Sequence, residues 1–188
     1  SLTETRDLDS FDKVSLEEFG TIHVSFGDTQ TVTVTTDDNL VSLVETTVQD
    51  GELKVRPIKA LNPSVDLVIH VTVPRLTSAE LAGAARLNII DIDGESLDIE
   101  LAGACGVDAT GQVDKLSVEL AGACRARLRN LKTRHAVVEI AGTGSAVVFA
   151  SESIDAEAAG FASITCHGNP DDVKKEAAGI SRVTIVDS

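Results

Sequence analysis

The chain has 188 residues and a formal net charge of −14, with 16 Lys and Arg against 30 Asp and Glu. Nucleic acids and anionic membrane surfaces are bound by Lys and Arg, so neither is an expected partner; divalent cations and cationic surfaces remain open. The hydrophobic fraction of 43% includes no Trp, Tyr or Met, and no apolar run is long enough to span a bilayer.

From the N-terminus, Ser1 to Ser10 is polar and lacks an initiator Met, as expected after loss of a leader or after trimming. Alternating residues then predict strands over Ile22–Phe26, Thr31–Thr35, Leu53–Val55 and Val65–Val73. Gly27-Asp28, Asp37-Asp38-Asn39 and Asp50-Gly51 read as turns between them, and Pro74 ends the last strand. Residues 1–75 read as a diverged start of one solenoid, its first strands forming a cap, and residues 76–188 as its regular coils. No linker-like stretch divides them, so the expectation is a single domain over 1–188.

The regular part repeats one phrase, Glu-aliphatic-Ala-Gly or Glu-Ala-Ala-Gly, six times, with glycines at 83, 103, 122, 142, 160 and 179. The steps are 20, 19, 20, 18 and 19 residues. A fixed period of this length marks coils that bury their apolar faces against one another. Before each Gly, alternate positions are aliphatic, as in Leu97, Ile99, Leu101 and Leu116, Val118, Leu120; after it the alternation resumes, as in Cys105, Val107, Ala109. Turn formers recur eight residues past the Gly at Asp91, Gly111, Asn130, Gly168 and Asp187. Each unit thus reads strand, Gly bend, strand, polar turn. A helix would consume most of such a coil, and the Asn-centred leucine-rich pattern is missing. A β-sandwich gives no reason for repeating columns. The expected fold is all-β, a parallel β-helix (solenoid) with about 19 residues per coil.

Stacking in register would place like residues about 4.8 Å apart. Glu80, Glu100, Glu119, Glu139, Glu157 and Glu176 then form an outward acidic column. Its oxygen ligands suit calcium, but no Gly-Asp calcium loop accompanies them; the competing reading is a solvated face that keeps the solenoid soluble. Beside it runs an outward small-residue column containing Ala82, Ala102, Ala121 and Ala141. After the bend come Ala84, Ala104, Ala123, Thr143, Phe161 and Ile180, whose direction depends on the bend. Ala82, Ala102, Ala121, Ala141, Phe161 and Ile180 are the candidate interface residues, for a second copy or a cell-surface partner; tight corner packing is the alternative.

Arg86, Arg125 and Arg182 share the third position after the Gly, with Arg127 and Arg129 on the same outward phase. A polysaccharide-active enzyme would need these to line a groove facing a carboxylate, and only fold analogy suggests one. Cys105 and Cys124 occupy equivalent places in consecutive coils; they read as small buried residues, although their spacing would tolerate a disulfide. The four histidines fall on outward phases of different strands with no metal-ligand spacing. No nucleophile elbow, phosphate loop, zinc-protease pair or dinucleotide fingerprint is present.

The stretches Phe11-Asp12-Lys13-Val14, Asp50-Gly51-Glu52-Leu53-Lys54-Val55 and Val71-Thr72-Val73-Pro74, together with Asp38-Asn39-Leu40 and the six Ala-Gly phrases, carry a family resemblance. The chain resembles, over nearly its whole length, the bacterial family called "putative auto-transporter adhesin" with a head GIN domain. Ala stands here where that family usually has Ser. The resemblance implies a right-handed, single-stranded β-helix, exported to the periplasm or cell surface, with no catalytic residues. The expected function is a non-enzymatic adhesion or interaction module. A cation- or small-ligand-binding module on the acidic stripe is the alternative, with the polysaccharide enzyme behind it. The last strand, Arg182 to Val186, is an edge strand; the N-terminal region, an added element or another copy is expected to cover it.

Overall fold

A computed structural model describes residues 1–59 and 66–187. In chain order the strands are β1 (Leu2–Arg6), β2 (Lys13–Leu16), β3 (Phe19–Phe26), β4 (Thr31–Thr36), β5 (Val44–Gln49), β6 (Glu52–Pro57), β7 (Val68–Val73) and β8 (Ser78–Gly103). They continue as β9 (Gly106–Gly122), β10 (Arg125–Arg127), β11 (Leu131–Gly142), β12 (Ser145–Phe149), β13 (Ser153–Gly160), β14 (Ser163–His167), β15 (Asp172–Gly179) and β16 (Arg182–Val186). Apart from one 3-10 turn at Val41–Leu43, no helix occurs among the described residues. Val65, expected to open a strand, lies outside the described residues, and the strand begins at Val68.

The chain is a β-solenoid whose coils stack as the periodicity predicts. Gly103 sits beside Gly122, Gly122 beside Gly142, Gly142 beside Gly160 and Gly160 beside Gly179, all on parallel strands. One long face is built from the segments that end in these glycines. The other begins just after them, with Gly106, Arg125 and Ser145 in neighbouring strands. A shorter third face pairs residues 92–94 with 111–113, and Leu131–Thr133 beyond them.

The bend between the long faces shows why glycine recurs. Gly83, Gly103, Gly122, Gly142, Gly160 and Gly179 all have φ between 77° and 120°, a region that L side chains rarely adopt. A Cβ on Gly103 would lie 2.5 Å from the carbonyl oxygen of Gly83, and one on Gly122 equally close to that of Gly103. That same carbonyl accepts the next amide: Ala104 N–H donates to Gly83 O at 2.7 Å and Ala123 N–H to Gly103 O at 2.7 Å. The bend is therefore a ladder of its own, so close that a methyl group would break it.

Inward positions hold the core in columns. Leu81, Leu101, Leu120, Ile140 and Ala158 form one, and Ala79, Ile99, Val118, Val138 and Ala156 another, all buried. Side-chain sizes change along the stack: Leu97, Ile99 and Leu101 in one coil give way to Ile154, Ala156 and Ala158 three coils later. Cys105, Cys124 and Cys166 are buried free thiols in these columns, so no disulfide joins the first two. Their Sγ atoms point at backbone carbonyls, Cys105 at Ala102 O (3.4 Å) and Cys124 at Ala121 O (3.4 Å). Burial pushes the Cys105 and Cys166 thiols up, as expected of inert packing residues.

The N-terminal part departs from chain order. β2 and β3 form a coil directly against β8, with Val14 beside Ala79 and Ile22 beside Leu87. β6 and β7, which come later in the chain, pair in parallel on the far side of β2 and β3. Glu18, with φ 75°, takes the bend position of this first coil, and Ala84 N–H donates to its carbonyl. Antiparallel strands then close the stack: β5 on β6, β4 on β7 and β1 on β4. These antiparallel strands lie at the end of the stack opposite β16. At the other end β15 and β16 each have one strand neighbour, β13 and β14, among the described residues. The N-terminal region does not cover that edge.

Candidate functional site

The outward face before the bend carries the two predicted columns as neighbours. Register places Glu100 beside Glu119, Glu119 beside Glu139, Glu139 beside Glu157 and Glu157 beside Glu176. All six glutamates, Glu80 included, are exposed. Their row continues toward the cap as Ser15 and then Lys54. Two residues on, Ala102, Ala121, Ala141, Ala159 and Ala178 also point outward. Because the alanines are small and the glutamates long, the face is a trough. It forms a groove of about 550 Å3 with glutamates along one wall and Ala102, Ala121, Ala141 and Ala159 in the floor.

The electrostatics of this groove differ from the rest of the surface. At several places elsewhere neighbouring coils pair opposite charges: Arg127 holds Asp108 with two contacts of 2.8 Å, Arg134 holds Glu152 at 2.7 Å, and Lys174 holds Asp155 at 3.3 Å. The Arg134 guanidinium and its hydrogen bond keep the Glu152 carboxyl below the usual carboxylate range. Among the described residues, the one cation close to the glutamate row is Lys174, 4.0 Å from Glu157. Adjacent carboxylates at about 4.8 Å repel by about 1 kcal/mol in bulk water. A row that holds like charges at this spacing favours a cationic occupant over a neutral one.

For calcium, the carboxylates stand in line rather than converging. Among the described residues no group of three or more His, Cys, Asp or Glu side chains is placed to hold a metal ion. The other proposed interface residues lie across the bend: Phe161 is 65% exposed and Ile180 75% exposed, both directed outward. Ala82 is half-buried at the capped end of its column.

The arginines form a second depression on the face after the bend. Arg86, Arg125 and Arg127 line it together with Gly106, Asp108, Thr143 and Phe161, in a volume of about 550 Å3. Arg129 belongs to a neighbouring hollow with Asn88 and Thr110, and Arg182 lies on the last coil. The carboxylate in the groove, Asp108, accepts from Arg127 through both oxygens, and these hydrogen bonds and the opposite charge raise the Arg127 pKa.

Sequence reasoning missed the histidine pair. His23 and His70 lie on paired strands, one beside the other, with rings stacked at 4.9 Å between centroids. Asn88 Nδ2 lies 3.2 Å from His23 Nδ1. Burial and the neighbouring His70 lower the His23 pKa. No sequence signal joined them, because 47 residues separate them and β7 pairs with β3 out of chain order.

Comparison with known structures agrees with this architecture. A crystal structure described as a putative adhesin from Bacteroides fragilis is 22% identical, covering 98% of this chain and 96% of its own, with a TM-score of 0.78. One described as a putative lipid binding protein from Parabacteroides distasonis is 19% identical, covering 98% and 96%, with a TM-score of 0.62. A putative adhesin from Parabacteroides merdae is 16% identical, covering 98% and 95%, with a TM-score of 0.59. At these identities the likeness is one of fold. No relative was found among curated proteins. Among the described residues no helix is long and apolar enough to cross a membrane. The repeats, the bend ladder and a match over residues 10–170 together make this chain a member of the family described as "Putative auto-transporter adhesin, head GIN domain".

Proposed function

We propose that the chain is a non-enzymatic, exported interaction module that holds an extended, positively charged partner segment along the Glu–Ala groove. The observation that carries this reading is the unbroken row of glutamates bordering a floor of small side chains over six coils. Five intervals of about 4.8 Å give a track of about 24 Å, the length of about seven residues of extended chain. The alanine floor lets a backbone approach closely, and the glutamates supply a cation-selective wall. A second copy of the chain would bring a second row of glutamates against the first, so charge argues against self-association through this face. Family membership supports a place outside the cytoplasm and a role in surface contact.

The test uses an eight-residue oligolysine peptide and an oligoglutamate control, titrated calorimetrically at two salt concentrations. Oligolysine should bind, and the double variant Glu119→Gln/Glu139→Gln should weaken it by about tenfold, since each ion pair of this exposed kind contributes up to about 1 kcal/mol. Equal binding by the variant would remove the groove from the function. Heat and a thermal shift with calcium alone would favour the cation-binding alternative. Surface labelling of intact cells producing the protein tests export directly.

A further inference from the structure

The arginine depression contains a gap that the backbone does not require. The outward row reads Thr21, Arg86, Gly106, Arg125, Ser145, Ser163 and Arg182 on successive coils. Gly106 therefore lies directly between Arg86 and Arg125. It is not among the glycines with positive φ, and a Cβ built on it would meet nothing nearer than Arg125 O at 3.8 Å. Gly144, by contrast, could not take a Cβ without approaching Cys124 O at 3.0 Å and Ile140 Cγ2 at 3.1 Å. Gly144 is explained by packing and Gly106 is not. What the missing side chain at 106 does is leave open the space between two guanidinium groups.

Among the described residues those groups have no carboxylate of their own. Arg86 and Arg125 form no ion pair among the described residues, whereas Arg127, two residues on, takes both oxygens of Asp108. The four charged residues of the depression thus sum to +2 on a chain whose net charge is −14. With one strand between them, the two Cα atoms stand about 9.6 Å apart. Two long arginine side chains span that distance and can both donate to one oxyanion lying over Gly106, each offering a planar fork of N–H groups.

We propose that Arg86, Gly106 and Arg125 form an anion cradle for a single oxyanion group, carboxylate, sulfate or phosphate, carried by a ligand of low charge density. A densely charged polyanion is repelled by the acidic remainder of the molecule; an isolated oxyanion is not. Phe161, 65% exposed at the same depression, offers an apolar surface to the rest of such a ligand. This site lies across the bend from the glutamate groove and stands or falls separately from it.

The test is a titration followed by 1H–15N NMR, reading the Gly106 amide and the Nε–H groups of Arg86 and Arg125. Sodium sulfate and sodium acetate are each compared with sodium chloride at matched ionic strength; the two arms separate a tetrahedral from a planar oxyanion. Saturable shifts at those three reporters, absent with chloride, are expected from at least one arm. Arg86→Gln and Arg125→Gln should each weaken binding by about tenfold. Gly106→Thr should keep the thermal midpoint, because its Cβ meets no close contact, yet abolish the saturable shift by filling the gap. Arg129→Gln, outside the cradle, should titrate as wild type. Shifts that track ionic strength alone, or a Gly106→Thr protein that binds like wild type, would overturn the proposal.

Discussion

Among the described residues, the two outermost levels of the solenoid treat their strand edges in different ways. At the N-terminal end, antiparallel β5, β4 and β1 are laid over the outermost parallel coil, so its backbone groups find partners within the chain. At the other end every residue of β15 is exposed, and the inward column Ala79, Ile99, Val118, Val138, Ala156 finishes in Lys175. A charge turned toward the core is one of the ways in which an open strand edge is kept from recruiting another chain. A parallel stack can thus have one edge covered by antiparallel pairing and another that carries a charge where a further level would need an apolar side chain.

Moving that charge inward should destabilise the fold most. Val118→Lys puts an unpaired ammonium at a fully buried position of the same column and should cost about 3–5 kcal/mol, read as a collapse of the thermal midpoint. Lys175→Val should leave the midpoint nearly unchanged but produce concentration-dependent association in sedimentation experiments. A monomeric Lys175→Val protein would show that the lysine has no blocking role.

The bends give the next largest contrast. Gly103→Ala must place a methyl 2.5 Å from the Gly83 carbonyl at φ 104°, and should cost about 3 kcal/mol in denaturant unfolding. In the first coil, where Glu18 already holds this bend at φ 75°, Glu18→Gly should instead stabilise by up to about 1 kcal/mol.

A smaller effect distinguishes the capped end by pH. His23 titrates lower in the folded chain than in the unfolded one, because of burial and the stacked His70. The unfolded chain therefore takes up this proton first. The contribution is complete above about pH 6.5 and is lost as pH falls through the interval below it. Thermal midpoints measured from pH 7.5 to 5.5 should fall less steeply in His23→Asn than in wild type. Smallest of all, the three buried thiols should resist alkylation in the native protein and react together on unfolding.

What was legible in the sequence follows from what repeats. Columns of Glu, Ala and Gly, and the inward aliphatics between them, needed only a period and an alternation. The coil made by β2 and β3 was hidden for a definite reason: its bend residue is Glu18 rather than Gly, and its neighbours in space, β6 and β8, are not its neighbours in the chain. The glutamate groove was half visible. The identity of its walls could be read, but its concavity arises from the size difference between side chains across a bent face. In the arginine row, Arg86 and Arg125 were found by alignment. The signal overlooked was the glycine between them, which matters because the backbone there does not ask for one.

The changing sizes of the buried side chains from level to level have a consequence for how the chain reaches its native state. Rows of identical surface residues would allow a strand to dock one whole turn too early or too late while still matching every Glu, Ala and Gly. Interior volumes forbid it: docking the segment of Ala156 and Ala158 where Val138 and Ile140 belong would open a void, and the reverse slip would overfill the layer. The monotonous exterior is thus guarded against whole-turn slippage at the levels where the buried side chains change size.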